Sequence, residues 1–296
     1  MKNLTLRQLR YFEALARHGH FGRAAAACSI SQPALSVQIR DLEADLGAPL
    51  FERSARQVRL TTLGEACLAR AVGILRAVDE LDDLARAAQG DLVGRLRLGV
   101  IPTVAPYLLP RLFGRMADNH AGIDIHIRET LTPRLTQELH QGKIDAAILA
   151  LPASEPGLEE IALFDEAFVF VRPIADADRP VPDGEALQKM RLLLLEEGHC
   201  FRDQALSFCN MHTALPRDGL DGSSLTTLVQ MVGAGLGVTL IPEMAVPVET
   251  RSAAVSVVRF GDPQPSRTIG MVWRKSSPLS DQFLRIAETV RTSAAA

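Results

Sequence analysis

The sequence predicts an α/β chain in three parts: a compact helical module, one long helix, and a region in which strands and helices alternate. Three observations carry this. Apolar residues recur at helical spacing up to Leu46 and are punctuated by Gly19 and Gly47. The stretch from Leu63 to Gln89 contains no proline. After Gly94, short apolar runs alternate with helical periods. The 296 residues, 47% of them hydrophobic, suffice for two or three domains with ordinary cores. No apolar run approaches the ~20 residues of a membrane span, and no charged-then-apolar segment opens the chain. A cytoplasmic location with no membrane partner is therefore expected.

In the first part, Leu6, Leu9, Phe12, Leu15 and Ala16 mark one helix that Gly19 ends, and a second runs from Phe21 through Cys28. Ser29-Ile30-Ser31 makes a short turn. Ser31 suits the N-cap, and Pro33 falls in the first turn of a third helix, where its missing N–H costs nothing. That helix spans about Gln32 to Leu46, with Leu35, Ile39, Leu42 and Leu46 inward. Ala34, Ser36, Gln38 and Arg40 lie on other faces. From Pro49 to Thr62, Arg53, Arg56 and Arg59 alternate with Val58 and Leu60, the pattern of a basic β-wing.

A tight turn between two helices, the second carrying Ser, Gln and Arg, suits insertion into the major groove of double-stranded DNA. Gln32, Gln38 and Arg40 have the donors and acceptors to read base edges, while Ser31 and Ser36 suit phosphate, and Arg53 and Arg56 of the basic wing complete the DNA-binding set. Charge agrees: residues 1–62 hold nine Lys/Arg against five Asp/Glu, a local excess of four, in a chain of net charge −3. A helical packing module with a solvated basic face is the plainer reading of the same residues.

Phe21-Gly22-Arg23-Ala24-Ala25, Ser31-Gln32-Pro33-Ala34-Leu35-Ser36 and the run Leu42 to Arg53 resemble, in order and spacing, the N-terminal signature of LysR-type transcriptional regulators. The likeness covers some sixty residues. It implies a winged helix-turn-helix DNA-binding domain over residues 1–62.

Along the long helix, Cys67, Ala71, Ile74, Val78, Leu81, Ala85 and Ala88 recur at steps of four and three, the seam of a helix that packs on a second one. Residues 63–92 are thus expected to link and dimerise the reading heads, with packing against the helix's own domain as the alternative. Beyond it, strands are expected at Arg95–Ile101, Ile123–Glu129, Ala146–Leu151, Phe168–Val171, Leu192–Leu195, Val238–Ile241, Val255–Phe260 and Thr268–Trp273. Helices are expected at Tyr107–Ala117, Leu135–Gln141, Leu225–Gly233 and the C-terminus. Such alternation predicts largely parallel sheets, with a crevice outside the carboxyl ends of the strands, where Thr103 and Thr132 fall. The family resemblance adds that residues 93–296 form a two-lobed regulatory domain like a periplasmic binding protein. Lobe I would be residues 93–164 plus 269–296 and lobe II residues 165–268.

Of the four cysteines, Cys28, Cys67, Cys200 and Cys209, no spacing fits a zinc motif, so no metal and no cofactor is expected. In a reducing compartment they should be free thiols, and any disulfide transient or regulatory. Cysteines nine positions apart on a helix lie about 13 Å apart, whereas a disulfide needs Cα atoms within roughly 7 Å. A bond between Cys200 and Cys209 therefore destroys any helix that spans them, which makes the pair a candidate two-state switch. A reactive thiol also needs nearby positive charge and access, and His199, Arg202 and Arg267 are candidates to supply the charge. On chemistry alone, two ordinary buried thiols explain the residues equally well.

Ile101 to Pro110, Leu163-Phe164-Asp165-Glu166, Gly198 to Ala205, Phe208-Cys209 and Arg267-Thr268-Ile269-Gly270 extend the resemblance to peroxide-sensing members of the same family, across nearly the whole chain. The resemblance implies that hydrogen peroxide oxidises Cys200 to a sulfenic acid and that Cys209 resolves it as a disulfide. Thr103, Thr132, His199, Asp203 and Arg267 would then line the peroxide pocket. It also implies self-association as dimer or tetramer, contact with RNA polymerase, resetting by a thiol reductant, and no enzymatic turnover. Ala105 and Phe201 depart from some relatives, and Cys28 and Cys67 take no role. The rival reading is a LysR-type regulator that answers to a small metabolite, its cysteines idle. A thiol peroxidase is a third, which sixty residues of reading head make hard to justify.

Overall fold

The computed structural model describes residues 4–53, 58–89, 94–120, 122–208 and 221–294. The chain divides into two compact units, with the boundary in sequence between Ala85 and Arg86.

The first unit holds α1 (Leu6–His18), α2 (Phe21–Ala27), α3 (Gln32–Leu46), the antiparallel pair β1 (Phe51–Arg53) and β2 (Val58–Leu60), and the start of α4 (Thr62–Gln89). Local chemistry sets each boundary. Thr5 and Gln8 form a capping box at α1, Ser31 accepts the Ala34 N–H at α3, and Gly19 and Gly47 close their helices in the left-handed region at φ 60° and 78°. Glu43 then ties the end of α3 to the wing by accepting the Leu50 and Phe51 N–H groups. Phe12, Leu15, Leu35, Ile39, Leu42 and Leu50 fill the core.

The seam expected along α4 is divided. Cys67 and Ala71 pack into this same core, together with Leu68 and Leu75, while Ile74 and Leu81 remain 46% and 63% exposed. The first turns of α4, as far as Leu75, are thus spent on their own module.

The second unit contains β3 (Gly94–Val100), α5 (Ala105–Asn119), β4 (Ile123–Glu129), α6 (Thr132–His140), β5 (Ala146–Leu151), β6 (Leu158–Pro173), α7 (Gly184–Lys189), α8 (Cys200–Phe208), α9 (Leu225–Gly233), β7 (Thr239–Pro242), α10 (Val246–Glu249), β8 (Val255–Arg259), β9 (Ser266–Arg274) and α11 (Ser280–Ala294). The strand order is β4-β3-β5-β9-β6-β7, with β8 also paired to β6.

The expected largely parallel sheet is corrected here. Only β3–β4 and β3–β5 pair in parallel among the named strands, and β5–β9, β6–β9, β6–β7 and β6–β8 are antiparallel. The cause is β6, expected only over Phe168–Val171 but 16 residues long. Its first part pairs with β9 and its last part with β7 and β8. Leu192–Leu195, expected as a strand, makes only isolated bridges, Leu192 to Val238 and Leu195 to Gly222.

Two hydrophobic cores lie on either side of this crossover. One gathers Leu98, Leu112, Leu135, Ile148, Trp273 and Phe283, and the other Phe168, Leu193, Phe201, Leu228, Val232 and Ile241. Tyr107 of α5 packs in the second core and donates its hydroxyl to Glu249 of α10 at 2.7 Å. Burial and that carboxylate push the phenol well above its ordinary value, so it stays a protonated donor across these conditions.

Candidate functional site

Three chain segments meet where β3, β4 and α8 begin or end. Ile101, Pro102 and Thr103 leave β3, Leu131 and Thr132 lead from β4 into α6, and Gly198, His199, Cys200 and Phe201 open α8. Together they enclose a cavity of about 10 Å³. The position is the crevice outside the carboxyl ends of parallel strands. Gly198 makes the approach: at φ 94° only glycine is unstrained, and a Cβ there would stand 3.0 Å from the Leu131 side chain.

Cys200 is a free, half-buried thiol whose side chain packs against the core of the neighbouring half of the unit. His199 is buried, and loss of solvation holds its imidazole below the ordinary histidine value against the opposing pull of Glu196. It is therefore a neutral hydrogen-bonding group at neutral pH, not a cation. The Thr132 hydroxyl is buried and has no hydrogen-bond partner among the described residues. Thr103 is 2% exposed, and both its hydroxyl and its carbonyl accept from Arg267, at 2.9 and 3.1 Å.

Arg267 is not on the cavity wall but one bond behind it. Its Nε donates to Glu166 at 2.7 Å, and its guanidinium carbon sits 5.3 Å from the Phe201 ring centre. Burial pushes the Glu166 carboxyl up, and Arg267 and the Met244 amide pull it back. Two expected contributors stand away from the cavity. Asp203 is exposed, because Phe201, Arg202 and Ala205 form the buried face of α8, and it does not line the cavity. Arg202 is spent on the Leu195 carbonyl at 2.6 Å and on Asp221 at 3.0 Å. Sequence reasoning missed Leu131, Pro102 and Ile101 on the wall and gave no role to Glu166 behind it.

Cys209 lies outside the described residues. Covalent geometry still bounds the switch. The nine residues of α8 are helical, which at ~1.5 Å per residue sets the Cα atoms of Cys200 and Phe208 about 12 Å apart. A disulfide needs Cα atoms within roughly 7 Å and one residue spans only ~3.8 Å, so a bond from Cys200 to position 209 is incompatible with an intact α8. Bonding to Cys200 requires unwinding. That pulls on Phe208, packed edge-on against Phe260 at 5.0 Å, and on Phe201, packed against Phe168 at 4.9 Å.

On the first unit, Ser31, Gln32, Pro33 and Arg40 are exposed along α3, and Ser36 and Gln38 are half-buried. Arg53 belongs to β1, and Arg56 lies outside the described residues. Val37, 42% exposed on the same helix, was not anticipated and offers an apolar contact of the kind thymine methyl groups accept. Among the described residues no cluster of His, Cys, Asp and Glu could hold a metal, and no helix is long and apolar enough to cross a membrane.

Comparison with known proteins matches residues 6–65 to the bacterial regulatory helix-turn-helix protein, lysR family, and residues 89–295 to the LysR substrate binding domain. The chain belongs to the LysR family. Among its relatives, a probable hydrogen peroxide-inducible genes activator of Streptomyces viridosporus is 43% identical over 97% of this chain and 93% of its own length. The DNA-binding transcriptional dual regulator OxyR of Escherichia coli is 40% identical over 97% and 95%. Among solved structures, a full-length OxyR cysteine variant from Pseudomonas aeruginosa matches with TM-score 0.77 at 38% identity, covering 98% of this chain and 96% of that one. A hydrogen-peroxide-bound OxyR cysteine variant from Corynebacterium glutamicum matches with TM-score 0.68 at 38% identity, covering 100% and 94%. This LysR chain thus shares its architecture along its whole length with these regulators.

Proposed function

We propose that the chain is a hydrogen-peroxide-sensing DNA-binding transcriptional regulator of antioxidant genes, switched by a reversible Cys200–Cys209 disulfide. The observation that carries this is the gathering of Cys200 with Thr103, Thr132 and His199, from three separate chain segments, around one small cavity. A metabolite-responsive regulator would instead keep a ligand-dependent DNA affinity when both cysteines are replaced.

In the first step the Cys200 sulfur attacks one peroxide oxygen. An S–O bond forms, the O–O bond breaks, and the departing hydroxide takes the thiol proton and leaves as water. The sulfur is oxidised by two electrons to a sulfenic acid and the peroxide is reduced. Thr103, Thr132 and neutral His199 are the hydrogen-bonding groups around this exchange. In the second step the Cys209 sulfur attacks that sulfur, an S–S bond forms, the S–O bond breaks and a second water leaves. A thiol reductant resets the pair, and no substrate is turned over.

Output follows from the unwinding of α8. Two copies pair through the exposed Ile74, Leu81 and Leu84 of α4, as dimers or tetramers, in the cytoplasm and in contact with RNA polymerase. The remodelled segment changes how the paired regulatory units pack, and hence the spacing of two heads on double-stranded DNA. Gln32, Pro33, Ser36, Gln38 and Arg40 read bases or backbone from α3, with Ser31, Arg53 and Arg56 on phosphate. Footprints of reduced and peroxide-treated protein on one operator are expected to differ in extent, while Gln32→Ala weakens both forms alike. Identical footprints and affinities in the two states would remove the switch from the account.

A further inference from the structure

Glu166 does not touch the cavity, yet its position gives it a say in the chemistry there. Its side chain is 4% exposed and that of Arg267 0%. Glu166 Oε2 accepts the Arg267 Nε–H and stands 2.7 Å from Nη2 as well, while Nη1 and Nη2 donate to the hydroxyl and carbonyl of Thr103. Thr103 and Phe201, the two cavity residues that Arg267 touches, are thus held from behind by one buried ion pair. Two consequences follow. The guanidinium is fixed in one orientation, and its charge behind the cavity is offset by a buried carboxylate.

We propose that Glu166 is a positioning residue that sets the peroxide reactivity of Cys200 through Arg267, acting as a brake. The inference rests on the peroxide-sensing reading above. The other ionisable groups around Glu166 do not replace it. Tyr107 of α5 donates to Glu249 of α10, and Glu243, in the turn after β7, pairs with Arg259.

The test measures the rate of Cys200 sulfenic acid formation with hydrogen peroxide, across a pH series, in full-length chains carrying Cys209→Ser so that no disulfide follows. Glu166→Gln keeps a hydrogen-bond acceptor and removes the charge. It is expected to react at least about fivefold faster at neutral pH, with its rate profile displaced to lower pH. Glu166→Gln combined with Arg267→Gln buries no charge and is expected to fall back to the parental rate or below. A folded Glu166→Gln chain with parental rate and profile overturns the proposal, as does a double variant that stays as fast as the single one. If near-ultraviolet circular dichroism shows that Glu166→Gln has not folded, Glu166→Asp takes its place. Its shorter carboxylate draws back from Arg267, so a smaller displacement in the same direction is expected, and a parental profile overturns the proposal. A parental chain that forms no sulfenic acid at Cys200 would instead refute the peroxide-sensing function itself.

Discussion

Replacing Cys200 with serine is expected to abolish peroxide-driven oxidation and the redox change in DNA footprint, whereas Cys209→Ser leaves the first step intact and loses only the lock. The asymmetry has a structural source. Cys200 stands on the wall of a cavity with Thr103, Thr132 and His199 around it, and the attacking thiol needs that setting. The resolving thiol needs only to arrive, after α8 has unwound. Mass spectrometry with a sulfenic-acid-selective reagent separates the two variants. Cys209→Ser should accumulate the adduct at Cys200, and Cys200→Ser should show none at Cys209. Equal initial oxidation in the two single variants would contradict the assignment.

The largest stability loss is expected at Arg267. Arg267→Met leaves the Glu166 carboxyl buried without its cation, and breaking a buried pair in this way costs about 3–5 kcal/mol. A second change, Glu166→Leu, should restore most of it, because an apolar pair of similar volume carries no desolvation penalty. Urea unfolding of the full chain followed by Trp273, the single tryptophan and 1% exposed, reads the regulatory unit. The pH dependence has a defined sign. A carboxyl whose folded pKa is raised binds more protons folded than unfolded, so its contribution to stability falls as pH rises. Losing Arg267 raises it further, and the deficit of Arg267→Met should therefore shrink from about pH 7 to about pH 5. A deficit independent of pH, unrelieved by Glu166→Leu, would place its origin elsewhere than the ion pair.

The winged module was legible in the sequence because its boundaries are local chemistry: Ser31, Pro33, Gly19 and Gly47 act within one turn of where they stand. The sheet was less so. β6 crosses two cores, and Glu159, Glu160, Asp165 and Glu166 interrupt the apolar signal where its first part pairs with β9. That strand exists through its partners rather than through its own alternation. In the same way the seam of α4 read as one stripe, although burial divides it between the module's own core at Cys67 and Ala71 and solvent at Ile74 and Leu81.

For the cavity, Thr103, Thr132 and Cys200 are far apart in the chain, and no spacing brings them together. Family resemblance grouped them, and the structure supplies the geometry. Glu166 stands in one of the stretches that resemble peroxide-sensing relatives, but nothing in that stretch gave it a role. Its importance comes from a tertiary bond across 101 positions to Arg267, which only the fold defines.

The most direct measurement is a map of thiols before and after a stoichiometric pulse of hydrogen peroxide. Free thiols are trapped, the protein is digested, and the linked peptides are identified. Four free cysteines are expected before the pulse and, after it, a Cys200–Cys209 link within one chain, with Cys28 and Cys67 still free. Amide hydrogen exchange on the same samples should show protection along Cys200–Phe208 lost as that link appears. Cys200 left unmodified, or bridged to Cys67 of a second copy with α8 still protected, would contradict the switch.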